Sequence, residues 1–468
     1  MSEGSQRAEC YDVAVIGAGV VGCALARRFT LDGARVVVLE KAEEVLDGAS
    51  KANSAILHTG FDAPVGTLEA DCIRAGHAEY REIRERMGLP LLECGALVVA
   101  WTAEEAARLP ALMDAARANG VDDVAPLTAA ETRTLEPRLG AGVAGAFRVP
   151  GESLIDPWSA AHAYLAQALI NGAELRYGAE VLGGRFEGSW SLATAAGTVA
   201  ARLVVNAAGL YGDIVEERLT GASTFQIRPR KGQFVVYDKT AAALADHILL
   251  PVPGERTKGI VVCRTAWGNL LVGPTAEEQD DRATAALDGA TLEMLRQRAE
   301  AILPALAGHE VTAVYAGLRP ATEEKGYRVR ADASRGYIAV GGIRSTGLSA
   351  ALGLATHVRG LWDEPLRPLA DPLWPEMPNL AETAPRDWER PGNGGIVCHC
   401  ERVTRREVEA ALTGPLPART FAGLKRRTRV TMGRCQGFAC GAELAEITAG
   451  RLAQPMLPDA ATREGGDD

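Results

Sequence analysis

After a short polar start the chain alternates brief apolar runs with amphipathic stretches. Tyr11 to Ile16 (YDVAVI) is a β-branched apolar run of the kind that forms a parallel strand covered on both faces. Gly17-Ala18-Gly19-Val20-Val21-Gly22 follows directly, and Cys23 to Leu31 carries helical periodicity. A second apolar run, Arg35 to Leu39, ends in Glu40. Further strands are predicted at Ala201 to Val205 and Gly336 to Val340, the latter leading through a glycine-rich loop into a helix from Leu348. Between them, Pro229 to Tyr315 reads as β-rich, with apolar runs at 233–237, 259–263 and 269–272. Leu292 to Leu303 reads as a helix crossing the outer face of that sheet. Residues 363–395 hold seven prolines and little periodicity, which predicts an extended linker over the surface. Beyond it, helices are expected over 405–412 and 442–449.

The strand, glycine turn, helix, strand and acid at the N-terminus form a complete dinucleotide-binding unit. Gly17 permits the tight turn, Gly19 lets a pyrophosphate approach the helix start, and Gly22 lets helix pack on strand. Glu40 can accept hydrogen bonds from a ribose hydroxyl, and its charge disfavours the 2′-phosphate of NADP. Gly140-Ala-Gly142-Val-Ala-Gly145 has the same spacing but neither a strand before it nor a helix after it, so it reads as a loop. One dinucleotide site therefore remains, for NAD or FAD. Related signals far along the chain favour FAD. The strand at 201–205 ends in Asn206-Ala207-Ala208-Gly209, small residues against which a nucleotide can lie. Gly341-Gly342-Ile343-Arg344-Ser345-Thr346-Gly347 brings a second helix N-terminus, suited to negative charge on a reduced isoalloxazine.

A length of 468 residues implies two or three domains, and 47% hydrophobic with 24% charged residues implies a globular enzyme. A net charge of −10 argues against general nucleic-acid binding and docking on anionic lipid. No signal peptide or membrane span is read, so a cytoplasmic protein is expected, or one peripheral to the inner membrane through a partner. Of nine cysteines, Cys10, Cys23, Cys72, Cys94 and Cys263 are scattered and read as reduced, mostly buried thiols. Cys398, Cys400, Cys435 and Cys440 form the pattern C-x-C…C-x4-C, which points to metal. Neither pair has the usual C-x2-C zinc spacing, and a [2Fe–2S] cluster tolerates other spacings; zinc stays open as an alternative. Amides at the start of the helix after Cys440 would favour a negatively charged cluster. Lys425, Arg426, Arg427 and Arg429 form a basic run, read as a solvated face or as a screen or docking patch for the cluster.

Several stretches together resemble the D-amino-acid-oxidase-like FAD superfamily, in its glycerol-3-phosphate and L-2-hydroxyglutarate dehydrogenase branch. They are the glycine unit, 50–60 (SKANSAILHTG), 204–209 (VVNAAG), 268–275 (GNLLVGPT), 317–320 (GLRP) and 340–347. The resemblance implies an α/β Rossmann-like FAD domain, an α+β portion with an antiparallel sheet over the flavin, and a small helical iron–sulfur domain. It places FAD-binding parts at about 10–90, 150–215 and 330–362, and substrate-binding parts at about 91–149 and 216–329. Besides the glycine turn (Gly17 to Gly22) and Glu40, the expected cofactor contacts are Lys41, Ser50, Lys51, Asn53, Ser54, Ala208, Gly209, Gly342, Ser345, Thr346, Gly347 and Leu348. His58 is placed near the ring, either as the base for a hydroxyl proton or as a histidine orienting its loop. Arg319, read in a glycine-flanked turn, would bind an anion, and Arg344 is a second candidate for substrate or flavin. Lys231 reads as a solvated turn lysine. The segment 396–456 resembles the bacterioferritin-associated-ferredoxin-like [2Fe–2S] domain, in Cys398-His-Cys400-Glu-Arg-Val-Thr404 and Arg434-Cys435-Gln436-Gly437.

The expected activity is oxidation of a secondary alcohol on a small anionic substrate, sn-glycerol 3-phosphate first and an L-2-hydroxy acid second. Hydride goes to FAD, and single electrons pass through the cluster to an acceptor protein or quinone-linked subunit, in a homo- or hetero-oligomer. GNLLVGPT and the cysteine segment look closer to the glycerol-3-phosphate type, HTGFDAPVGTL closer to the 2-hydroxyglutarate type. The alternatives are an amine, opine or sarcosine oxidoreductase, and a non-catalytic electron-transfer subunit.

Overall fold

The computed structural model describes residues 10–254 and 259–456. The YDVAVI run forms the strand Tyr11–Ile16, flanked in parallel by Val36–Leu39 and Gly197–Asn206. Val13 lies opposite both Val36 and Leu203. Glu174–Arg176 extends the set beyond Val36–Leu39, and Tyr337–Gly341 extends it beyond Gly197–Asn206. Val13, Val15, Val36 and Val38 are buried in the core on one side of this sheet, Ala14, Ile16 and Val37 in the core on the other. That double covering is why the runs are continuously apolar rather than alternating.

The helix Val20–Leu31 starts at the glycine turn and packs between Gly347–Gly360 and Pro157–Ile170. A fourth helix, Leu68–Ile83, crosses Gly347–Gly360 at very short range: a Cβ on Gly76 would stand 2.1 Å from the Ser349 carbonyl oxygen. The helix that begins at the second glycine-rich loop is thereby packed against both Val20–Leu31 and Leu68–Ile83.

Among the described residues the second sheet has nine strands. Its spine is Ile227–Tyr237 paired antiparallel with Val311–Thr322, Arg230 opposite Arg319. This corrects two expectations, since the RPRKG and GLRP stretches lie inside strands rather than in turns. Pro229 sits opposite Pro320, and its carbonyl accepts from the Gln279 N–H, a bond that needs no proline donor. The runs expected at 259–263 and 269–272 are the strands Val261–Arg264 and Leu270–Gly273, and Gly289–Ile302 is the helix packed on this sheet through Leu295 and Ala299. Gly140 to Ala144 is loop, with Gly145 opening the strand Gly145–Val149.

Residues 363–395 run over the first domain with one short 3-10 turn, Asp387–Glu389. Leu369 N–H donates to Leu31 O, Met377 N–H to Met87 O, and Leu373 is bonded to Asn171 through both backbone groups. The chain then forms a small hairpin, Ile396–Cys398 with Val403–Thr404, and three helices, Arg405–Ala411, Phe421–Thr428 and Gly441–Thr448. Among the described residues no helix is long and apolar enough to cross a membrane.

The basic run is a second correction. Arg426, Arg427 and Arg429 are only 5%, 8% and 4% exposed, so they form neither a solvated face nor an open docking patch. Carboxylates from elsewhere in the chain meet them: Arg427 pairs with Glu44 at 2.9 Å and Arg429 with Glu401 at 2.8 Å. Breaking such a buried pair by removing one partner costs about 3–5 kcal/mol, because the other charge is left without compensation.

Candidate active site and cysteine site

A cleft of ≈ 680 Å³ opens over the C-terminal ends of Tyr11–Ile16 and Gly197–Asn206. This is where strand order departs to opposite sides, the place at which open α/β sheets take ligands. Gly17 has φ +99°, and a Cβ there would stand 2.7 Å from Ala207 O; one on Gly22 would stand 1.9 Å from Gly17 O. The turn therefore works only with glycine at both positions. Ser50 reaches back to it, its Oγ accepting from Val20 N–H at 3.0 Å. Glu40 accepts from Ala18 N–H at 2.7 Å and from Ala42 N–H at 2.9 Å, one bond on each oxygen. Burial pushes its carboxyl above the usual range, while those two amides pull it back. Each oxygen keeps a lone pair for a ribose hydroxyl.

The helix starts supply the fit to a phosphate-bearing cofactor. Seven α-helices, those begun by Thr67, Thr102, Thr128, Asp156, Asp288, Thr404 and Thr420, have a side chain capping their first turn. In the four other described helices, Val20–Leu31, Gly212–Thr220, Gly347–Gly360 and Gly441–Thr448, the N-cap residue makes no such bond, and of their first-turn amides Ser50 takes only Val20 N–H and Asp213 only Ile214 N–H. The first three begin at the cleft, and the fourth begins at Cys440. The first-turn amides left without an N-cap side chain and the positive end of the helix dipole are a ready seat for anionic groups. The residues present fit FAD.

Most of the expected cofactor contacts line this one cleft: Gly17, Gly19, Val20, Val21, Glu40, Lys41, Ser50, Lys51, Asn53, Ser54, Ala208, Gly209, Gly342, Ser345, Gly347 and Leu348. Ala18, Gly22 and Thr346 do not line it. Ala18 is fully buried and serves through its N–H, and Gly22 packs on Gly17. The Thr346 hydroxyl donates to the buried Glu69 at 2.8 Å and also meets Tyr327.

At the other end of the cleft Arg319 is half-buried. Its guanidinium donates to Lys231 O at 3.2 Å and to Thr275 O, while no carboxylate forms an ion pair with it among the described residues. Burial and the neighbouring Arg230 push it down to about 10, so it stays charged at neutral pH. Gly232 makes the room, since a Cβ there would stand 2.7 Å from an Arg319 nitrogen. Arg344 lines the cleft too, but Glu69 faces it at 3.5 Å. Lys231 is not a solvated lysine: it lies in a strand, is paired with Glu277 at 3.1 Å, and its side chain is 13% exposed.

His58 lies outside the residues lining the cleft. Its Nδ1 is 2.8 Å from Oε2 of Glu152, which is fully buried, and its backbone N–H donates to Ser349 Oγ. The other Glu152 oxygen accepts from the Thr59 N–H and hydroxyl at 2.6 and 2.9 Å. A carboxylate can only accept, so Nδ1 carries the hydrogen, and in the neutral ring Nε2 then holds the lone pair. Glu152 is a site residue with no sequence signal, a lone acid ninety-four positions from its histidine.

Behind the cleft, Trp158 donates its indole N–H to Lys51 O and stacks on Trp267 with centroids 4.8 Å apart. Arg429 lies over Trp267 at 4.1 Å, which joins the flavin-side segment to the cysteine segment. The four cysteines lie beside one another, Cys440 interacting with Cys398 and Cys435, and Cys400 with Cys435 and Cys398. Among the described residues no three ligand-type side chains converge on a single ion's position. Four neighbouring thiols fit a two-iron cluster. A Cβ on Gly433 would stand 2.2 Å from Cys400 Cβ, so the two cysteine loops meet only because that position is glycine. The Ala439, Gly437 and Phe438 amides point at Cys435, and Phe438 itself is 95% exposed.

Comparison with known proteins agrees with this geometry. Residues 12–361 match the family described as FAD dependent oxidoreductase, and residues 396–449 match the BFD-like [2Fe-2S] binding domain. A glycerol 3-phosphate dehydrogenase of Caloramator mitchellensis is 31% identical over 97% of each chain. One subunit of the anaerobic glycerol-3-phosphate dehydrogenase of Escherichia coli K12 is 25% identical over 93% of this chain and 87% of its own. The FAD-bound, dithionite-reduced L-α-glycerophosphate oxidase of Mycoplasma pneumoniae has a TM-score of 0.73 at 26% identity, covering 78% of this chain and 97% of that one. A cleft of glycines and helix starts without N-cap side chains, a set of four neighbouring cysteines and these likenesses agree: the chain belongs to the FAD-dependent oxidoreductases and carries a BFD-like [2Fe–2S] domain at its C-terminal end.

Proposed function

We propose that this FAD-dependent dehydrogenase oxidises the secondary alcohol of a small anionic substrate, sn-glycerol 3-phosphate before an L-2-hydroxy acid. The observation that carries the reading is Arg319, a half-buried guanidinium at the cleft held by carbonyls and in no ion pair with a carboxylate among the described residues. A planar fork with spare N–H groups is suited to phosphate or carboxylate, and burial strengthens that attraction. Arg344, already facing Glu69, is better suited to holding the glycine-rich loop. His58, with its tautomer set by Glu152, is the group whose chemistry suits removal of the hydroxyl proton. The relative from Caloramator mitchellensis, matched along nearly its whole length, supports the phosphate substrate.

When bound, FAD supplies the hydride acceptor and the [2Fe–2S] cluster a one-electron acceptor. The Trp158–Trp267–Arg429 contact supports passage between their two sites, and the exposed Phe438 in the cysteine loop supports contact with an external acceptor. Similarity to a protein named as one subunit of an anaerobic dehydrogenase supports an acceptor that is a further, quinone-linked subunit, with this chain on the cytoplasmic side of the membrane carrying it.

Anaerobic mixing with a substrate panel tests the reading. sn-Glycerol 3-phosphate should bleach the flavin fastest and then the cluster. Bleaching by sarcosine or proline but not by the phosphate would replace it with amine oxidation, and an oxidised cluster beside a bleached flavin would remove the relay.

A further inference from the structure

The segment after Glu40 is gripped from two sides. On one side lies the glycine turn: Leu46 N–H donates to Ala18 O at 3.0 Å, and Ala18 N–H in turn donates to Glu40. Leu46 has φ +59°, a left-handed conformation that a leucine keeps only where its surroundings over-determine it. On the other side lies the C-terminal domain. Glu44, 2% exposed, accepts from Arg427 at 2.9 Å, from Arg419 N–H at 3.0 Å and from Thr420 N–H at 3.4 Å. Arg426 donates to Val45 O at 3.1 Å, and its guanidinium also faces Asp47 at 3.8 Å. Gly423 lets the helix Phe421–Thr428 press on this carboxylate, since a Cβ there would stand 1.7 Å from Glu44 Oε2. The gripped stretch runs straight into Asp47 to Ser54, which lines the FAD cleft.

We infer that the iron–sulfur domain is a structural part of the FAD site: by clamping Glu44 it holds residues 43–51 in the FAD-binding conformation. FAD occupancy and docking of the C-terminal domain are then linked, each strengthening the other by the same factor. Glu44 and Arg427 are positioning residues, neither of which lines the cleft. The inference needs only FAD as cofactor and is independent of the substrate, so it stands or falls apart from the proposed activity.

The full-length, cluster-loaded protein stripped of FAD provides the test. Titration with FAD should slow amide exchange across 419–428 in the unaltered chain and fail to do so in Glu44→Gln. Glu44→Gln and Arg427→Lys should each raise the Kd for FAD about tenfold, and the double variant should be no worse than the weaker-binding single one, because the two residues act as one unit. Iron content should match in all four proteins. Should Glu44→Gln not fold, Arg427→Lys and exchange in the unaltered chain still decide the matter. Exchange at 419–428 that ignores FAD would overturn the inference, as would Kd values within about twofold of the unaltered chain.

Discussion

The FAD cleft draws its ligand-facing atoms from segments scattered between Gly17 and Leu348, and most of them are backbone amides or the spaces beside glycines. The cysteine site draws four side chains from forty-three consecutive residues, Cys398 to Cys440. A cofactor with phosphates and a broad ring needs many weak donors in a fixed array, whereas a cluster needs four strong, covalently bonded ligands. Geometry is therefore the vulnerable feature of the first site, and ligand identity of the second.

The largest contrast should come from Gly22→Ala, whose Cβ must displace the Gly17 carbonyl. The purified variant should lack FAD and retain iron, read from flavin absorbance and an iron assay; normal FAD content would refute the backbone account. Cys435→Ser should do the reverse, losing iron while substrate still bleaches the flavin, so that acceptor-linked turnover falls to background. Arg319→Leu should keep both prosthetic groups and lower kcat/KM for sn-glycerol 3-phosphate about 100-fold, in the range for losing a buried charged partner. In the unaltered enzyme the charged guanidinium is present below its titration point, so kcat/KM should fall as pH rises through about 10. The smallest effect belongs to a helix that binds nothing. Thr128 caps Ala129–Leu135 reciprocally with Glu131, and Thr128→Ala should cost about 1 kcal/mol in urea unfolding with FAD and iron unchanged.

Legibility in the sequence followed how local each interaction is. The glycine turn, Glu40 and the cysteine spacings are short-range chemistry, and each reads from a few consecutive residues. Pro229 and Pro320 misread as turns because their pairing joins strands far apart along the chain, where each proline needs only its carbonyl or an edge. The 425–429 run misread as exposed because its carboxylate partners, Glu44 and Glu401, lie 383 and 28 positions away. Glu152 carried no signal at all, since one acid in a loop gains meaning only when a histidine is folded against it.

By itself the sequence determined the strand–turn–helix unit, the acid that closes it and the four thiols, because backbone sterics and ligand spacing act over a few residues. Only the tertiary structure decided that Arg319 is half-buried at the cleft without an ion-paired carboxylate among the described residues, that His58 is held by Glu152 outside the cleft wall, and that the C-terminal domain grips the segment beside the glycine turn. Those outcomes depend on which charges are brought together away from water, and burial is a property of the folded chain rather than of any stretch of it.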